Sequence, residues 1–306
     1  MTALPSAAPA APRRLSPARG QGRLAAVYLA PGMLGFLIFI VVPLVASFVI
    51  SLYDWPLFGT PKFVGIENYS RLFTADRVFW TVLGNTLLFA GVYTALNLLL
   101  ALGLSSWLHN VGRWGPFFRV VFFVPVVTPM VANALVWRLM LADNGVINTL
   151  LHGFGIHGPS WLSDPRLAMG SIIAMSIWQG VGYNIIVLGA ALNAISPQLL
   201  EAAKIDGAGA WKRFYGVVLP MLSPALFFCT VMTVIGAFKV FTQPYLLTLG
   251  GPGDSTKTIV LHLYQNAFSF DKLGYASALA WVLFVIVMLV TALQFSQQKR
   301  LVNYDS

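Results

Sequence analysis

Three observations predict an all-α integral membrane protein with six transmembrane helices. The 306-residue chain is 58% hydrophobic and only 9% charged, whereas a soluble domain carries about 25% charged residues. Its charges are segregated: 24–53, 78–111, 120–137, 167–200, 214–238 and 273–298 contain no Asp, Glu, Lys or Arg. Each run supplies, or nearly supplies, the roughly 20 apolar residues that cross a bilayer as a helix. None alternates polar with apolar residues, which argues against membrane-spanning strands.

Taken in order, residues 1–23 are rich in Ala, Pro and Arg and read as a disordered, basic cytoplasmic tail. The next apolar run of about 30 residues far exceeds the 7–15 of a signal-peptide core, so it stays as the first helix. The loop "DWPLFGTPKFVGIENYSRLFTADR" carries Trp55 and Tyr69, with Trp80 just beyond, residues that favour the membrane interface. A second helix ends near Trp107, and the turn "LHNVGRWGPFFR" leads to a third helix starting near Pro116. Pro125 and Pro129 in "VPVVTPM" kink that helix and free carbonyls, which neighbours or a wet cavity must satisfy. The loop 138–166 holds a short interfacial helix near 146–153. A fourth helix spans about 168–194 and a fifth about 217–240. The loop "GGPGDSTKTIVLHLYQNAFSFDKLG" precedes a sixth at about 276–295. This makes 24–298 one transmembrane domain, followed by a cytoplasmic tail, 299–306.

The net charge of +9 is explained by topology without nucleic acid. With the N-terminus inside, the inner segments hold eleven of the nineteen Lys and Arg and three of the ten acids. That bias predicts cytoplasmic termini. The single cysteine, Cys229, lies in an apolar run, so no disulfide forms within the chain and no Cys/His metal cluster exists. His152, His157 and His262 read as solvated loop residues, and no metal is assigned to them. No clustered catalytic acids, His or Cys face one surface, which argues against a membrane enzyme.

The segment "LLEAAKIDGAGAWKRFYGVVLP" interrupts the apolar runs with a dense polar island. Ser196-Pro197 is a helix-start signal, and Gly207 and Gly209 stop the helix. A helix over about 197–207 is too short to cross the membrane and is marginal alone in water, so it needs a docking surface. Ala202 and Ala203 allow close approach; Glu201 and Asp206 are available to cap or to pair with a basic partner. Gly207, with a positive φ, turns the chain back into the fifth helix.

Glu201-Ala202-Ala203, then Gly207, then Val217, Leu219 and Pro220 resemble the EAA signature of bacterial ABC-importer permeases. That signature reads EAA, three residues, Gly, nine residues, Ile, one residue, Leu-Pro; Val217 is its one departure. "IVVPLVASFVISLYDW", "FVGIENYSRLF", "FFVPVVTP", "WLSDP", "SIWQGVGYNIIVLGAALNAISPQLLEAAKIDGA" and "FKVFTQPYLLTLGGP" resemble the MalF/UgpA-like branch of carbohydrate permeases. The resemblance implies a type I importer fold in the bacterial inner membrane. It also implies a second, non-identical permease, a pair of ABC ATPases and an extracytoplasmic binding protein. In that family the EAA helix is the coupling helix, seated in a groove on the ATPase. The chain has no phosphate-binding loop of its own; ATP and Mg would be held by the partners, and the chain itself would bind no cofactor.

Polar groups inside apolar spans tend to mark pathways. The candidates are Asn133 on the third helix, Gln179, Tyr183 and Asn184 on the fourth, and Thr233, Lys239, Thr242 and Gln243 at the end of the fifth. Gln179 and Tyr183 share a face, and Gly180 leaves room beside them. Amides, hydroxyls and a tyrosine ring suit polyhydroxyl ligands. The resemblance adds Met130 and places sugar contacts at Gln179-Gly180 and across 233–240. Ala237, Lys239 and Val240 stand where maltose-type permeases have contact asparagines, which points away from maltodextrin. Lys239 keeps a glycerol 3-phosphate or glycerophosphodiester importer open as an alternative. A stand-alone secondary carrier or channel is the alternative of another class, and it lacks coupling acids in its spans.

Overall fold

A computed structural model describes residues 21–56 and 59–301. The chain divides into two units, Met1–Val49 and Ile50–Ser306. In the first, α1 (Gln21–Phe36) passes through a π-turn (Leu37–Val41) into α2 (Val42–Ser51). The wide turn directly precedes Pro43, which has no N–H to donate, and Val42 N–H reaches back to Leu37 O. The span 26–51 reaches a mean hydropathy of 2.8, and side chains such as Tyr28 and Phe39 stand exposed. A surface this apolar suits lipid. The expected tail 1–23 falls outside the described residues except for 21–23, which are already helical.

The second unit opens with a two-residue strand pair, β1 (Tyr53–Asp54) against β2 (Lys62–Phe63), and a helix, α3 (Glu67–Thr74). The sequence showed only a loop here. Buried Asn68 ties α3 down by donating to Ser51 O at 2.8 Å and Tyr53 O at 2.9 Å. Then follow α4 (Arg77–Asn110), a short 3-10 turn, α5 (Gly115–Val127), α6 (Met130–Met140), α7 (Val146–Gly153) and α8 (Ala168–Ala194). Next come α9 (Pro197–Ile205), α10 (Ala210–Arg213), a π-turn (Phe214–Val218), α11 (Leu219–Phe238), α12 (Thr242–Leu247), α13 (Ile259–Tyr264) and α14 (Leu273–Leu301). Among the described residues five helices are long and apolar enough to cross a membrane, six if one bent pair counts as a span.

That pair is the third predicted span. It is broken rather than kinked: α6 departs from α5 at 96°. Pro129 pushes Thr128 out of the helical region to φ −74, ψ 135. Pro129 also lacks the N–H that would bond the carbonyl of Pro125. Asn133 Nδ2 supplies that bond instead, 3.0 Å from Pro125 O and fully inside the protein. The fifth span differs too. α10, the π-turn and α11 form one continuous helix from Ala210 to Phe238, and Thr242 and Gln243 sit beyond its end in α12. α14 runs on to Leu301, so the predicted C-terminal tail begins as helix.

α4, α5, α8 and α11 form the core. Val82, Phe89, Ile172 and Met175 are buried toward the start of α4, and Ala101, Leu108, Ile185, Leu188 and Cys229 toward its end. Gly182 permits this packing: a β-carbon there would lie 2.0 Å from the backbone oxygen of Phe122 on α5.

At the N-terminal end of α4 the acid Asp76 caps the helix, accepting from Val78 N at 2.9 Å and Phe79 N at 3.2 Å. Its other oxygen accepts from His262 Nε2 at 3.1 Å and from the Tyr275 hydroxyl. One carboxylate thus joins α4, α13 and α14. The sequence placed His262 in a solvated loop; it is buried on α13, with Asn266 donating to its carbonyl at 2.9 Å. Burial pushes the His262 pKa below its ordinary value, and the bond to Asp76 only partly opposes that. For Asp76 burial alone raises the pKa, but the bonds from Tyr275 and His262 prevail and hold the carboxyl below its ordinary range.

Candidate functional site

A cavity of about 500 Å³ lies among α4, α6, α8 and α11, roofed by the segment between α11 and α12. It lies where the third span is broken and where α11, continuous from Ala210, ends. The α5–α6 break delivers Met130 to its wall, and the end of α11 at Phe238 frees 239–243 to turn across it. The end of α11 is satisfied locally: Lys239 N bonds Gly236 O, Val240 N bonds Ala237 O, and Thr258 Oγ1 donates to Val240 O at 2.9 Å.

Eight of the predicted pathway residues line this cavity: Met130, Gln179, Gly180, Tyr183, Thr233, Lys239, Thr242 and Gln243. Gln179 and Tyr183 project from one face of α8, as their four-residue spacing requires. Gly180 between them has a specific reason. A β-carbon there would sit 2.4 Å from the Tyr93 hydroxyl, so only glycine lets Tyr93 reach the wall. Sequence reasoning missed Phe89, Tyr93 and Phe241. Phe89 and Tyr93 stack at 5.3 Å on one side, and Phe241 stacks on Tyr245 at 5.1 Å on another. The four-residue spacing of Phe89 and Tyr93 was readable, but it looks the same as ordinary core packing. Lys239 is the one charged residue of the lining and is exposed. Aromatic faces, amides, hydroxyls and one cation give the lining both apolar platforms and hydrogen-bond donors and acceptors.

Two predicted pathway residues are elsewhere. Asn133 is the donor that satisfies Pro125 O behind the α5–α6 break. Asn184, next to Tyr183 on α8, is buried and donates to Asn97 Oδ1 on α4 at 2.7 Å and to Thr233 Oγ1 on α11 at 3.0 Å.

The polar island is a separate site. α9 spans Pro197–Ile205, slightly shorter than predicted, and ends in a full Schellman turn. Gly207 has φ +73, its N–H bonds Lys204 O, and Ala208 N–H bonds Ala203 O at 3.0 Å. Gly209 does not stop α9; it begins α10. Ser196 holds the extended cap conformation, but its hydroxyl bonds the Gln198 side chain instead of the helix backbone. Leu200 packs on Leu192, Ile195 and Leu222. Glu201, Ala202 and Asp206 face outward beside Ile205, 87% exposed, and Trp211, 75% exposed.

The family model of the binding-protein-dependent transport system inner membrane component matches residues 26–303. The chain belongs to that family. The permease is 37% identical over 283 residues to the probable ABC transporter permease protein YesP of Bacillus subtilis (strain 168), covering 91% of each chain. It is 36% identical over 275 residues to the lactose transport system permease protein LacF of Rhizobium radiobacter, covering 88% of this chain and 92% of the relative. Its fold is similar to a chain in the crystal structure of a bacterial alginate ABC transporter in complex with an alginate pentasaccharide-bound periplasmic protein. The TM-score is 0.82 at 21% identity, over 92% of this chain and 96% of that one. As a multi-pass ABC permease it is not a stand-alone carrier, and the relatives named here do not favour the glycerol-phosphate alternative.

Proposed function

We propose that the permease carries a neutral sugar or short oligosaccharide through the cavity among α4, α6, α8 and α11, as one of two non-identical permease subunits of an inner-membrane importer. The observation that carries this reading is the cavity lining, where Gln179, Tyr183, Thr233 and Gln243 supply donors and acceptors between the stacked pairs Phe89–Tyr93 and Phe241–Tyr245. The lactose name of one relative supports the same class of ligand. Both termini lie in the cytoplasm, and α9 docks on one of a pair of ATPases through Glu201, Ala202, Ala203, Asp206 and Gly207. The exposure of Ile205 and Trp211 beside them supports that seat. An extracytoplasmic binding protein delivers the sugar, ATP and Mg are held by the ATPases, and this chain binds no cofactor.

Lys239 supports a second reading, an acidic sugar whose carboxylate meets its ammonium in the cavity. The test is co-expression with the permease, ATPase and binding-protein genes beside it, followed by purification and vesicle uptake of lactose and of a uronic-acid disaccharide. Co-purification of an ATPase and a second permease with uptake of either sugar supports the proposal. Purification of the chain alone, with no uptake, overturns it. Uptake of only the acidic sugar, lost in Lys239→Ala, selects the second reading.

A further inference from the structure

α12 and α13 follow the end of α11 that is opposite α9. Four aromatic rings touch in series there. Phe241, on the cavity wall, stacks on Tyr245 of α12 with 5.1 Å between ring centroids and meets Tyr264 of α13 at 5.1 Å. Tyr245 meets Tyr264 at 5.5 Å, and Tyr264 meets Phe268 at 5.2 Å. Phe268 lies on the π-turn that continues α13 (Gln265–Ser269).

The series has a direction. α13 starts beside the cavity roof, where Thr258 Oγ1 donates to Val240 O. It then runs back along the first turns of α4: Ile259 N bonds Thr86 Oγ1 at 3.0 Å, and His262 Nε2 bonds the helix-capping Asp76 at 3.1 Å. Phe268 comes further along in the same direction, outside every candidate span, and is 61% exposed. The rings therefore lead from the cavity to the surface, on the side where the proposed importer meets its binding protein.

Ordinary core packing does not account for them. Phe89, a core ring on the same cavity, is 2% exposed; none of these four is buried. Contiguous apolar surface that stays open marks contact with something outside the chain. Continuity with the cavity indicates what that is. A pyranose ring has apolar C–H faces that lie flat on an aromatic ring, and a rim of hydroxyls that the two tyrosine hydroxyls can donate to and accept from. With centroids 5.1–5.5 Å apart, such a ring reaches the next aromatic face before it leaves the last.

We infer that Tyr245, Tyr264 and Phe268 form an aromatic track that leads a sugar ring from the surface at Phe268 to Phe241 and the cavity. The inference rests on the reading of the cavity as the sugar site. The rings of the track are already in contact, so it needs no rearrangement of the core helices.

Two measurements on the assembled transporter test it. The first asks whether the strip is open. In a Cys229→Ala background without binding protein, Phe268→Cys is treated from outside with membrane-impermeant 2-sulfonatoethyl methanethiosulfonate. Leu249→Cys, at an outer-loop position 61% exposed, is the reference. Labelling within about threefold of the reference is expected, since an exposed thiol reacts freely. Slower labelling means that lipid or the second permease covers the strip, and overturns the inference.

The second measures uptake of whichever of lactose and the uronic-acid disaccharide the wild type carries, at equal recovery of the complex. Leu at 264 or 268 keeps an apolar side chain and removes the ring face. Uptake is expected to fall about fivefold in Tyr264→Leu and in Phe268→Leu, and to return to within about twofold of wild type in Tyr264→Phe and Phe268→Trp, in line with the worth of one aromatic contact. Wild-type uptake in both Leu variants overturns the track and leaves the cavity reading standing. An equal fall in the aromatic replacements assigns the effect to packing and also overturns the track. If the wild-type complex takes up neither sugar, the cavity reading fails and the track with it.

Discussion

Two segments of this permease carry the same local pattern with opposite results. "PVVTP" (125–129) breaks its span at 96°, and "PMLSP" (220–224) lies inside a continuous helix of 29 residues. In each, the carbonyl of the first proline loses its usual donor, because the residue four positions on is also proline. In α11 the Ser223 hydroxyl reaches back to Pro220 O at 2.6 Å, and the helix continues. In α5 the Thr128 hydroxyl bonds Val124 O instead, and Pro125 O is satisfied from beyond the break by Asn133. The position eight residues after Pro220 is Phe228, which has no polar group to offer. Paired prolines therefore permit a break, and the next available donor decides whether it happens. Here the break delivers Met130 to the cavity.

The largest effect in this comparison is expected at Gly182, which lets α8 touch the backbone of α5 just before the break. Gly182→Val should destabilise the purified protein by about 3 kcal/mol, because the backbone oxygen of Phe122 has no rotamer to yield. A Tm within a degree of wild type would mean that α5 is not held this way. Asn133→Leu comes next, at about 2–3 kcal/mol, since it leaves a buried carbonyl unpaired. Its counterpart Ser223→Ala should cost about 0.5–1 kcal/mol, the net worth of an ordinary hydrogen bond, because the site is half-buried. Equal losses would remove the distinction drawn between the two proline segments.

The smallest effect is a control remote from both. His262 titrates near 6.5 when unfolded and lower when buried. Between those values the unfolded chain binds more protons, so stability rises with pH and is lost as pH falls below about 6.5. The loss for one such group is at most about 1.4 kcal/mol per pH unit. Thermal unfolding in detergent at pH 7.5 and 5.5 should show this fall in wild type and a smaller one in His262→Gln. Asp76, held below its ordinary range, adds a loss of the same sign only in more acid solution. An equal fall in both proteins would assign the pH dependence to other groups.

The spans were legible because charge is excluded from them over long stretches, and α7 and α8 were placed to the residue. α9 was legible through Pro197 and Gly207, whose backbone preferences act locally. The break at Thr128 was not, since it depends on Asn133 meeting one carbonyl in three dimensions. His262 was misjudged for a similar reason: its partner Asp76 is 186 positions away and leaves no local mark. α3 and α13 were hidden because each is a short helix held down by side-chain bonds to distant backbone and helices. At the cavity, the amides stood out against apolar surroundings, whereas Phe89, Tyr93 and Phe241 resembled any other core aromatics.

We propose that the sugar is held in the cavity among α4, α6, α8 and α11. The most direct test is uptake by the assembled transporter carrying Gln179→Leu, which removes an amide from the wall at nearly constant volume. An uptake loss of about tenfold is expected, as when one hydrogen bond to a ligand is replaced by an unpaired group, with ATPase retention unchanged. Wild-type uptake of every sugar that the unmodified transporter carries would contradict it.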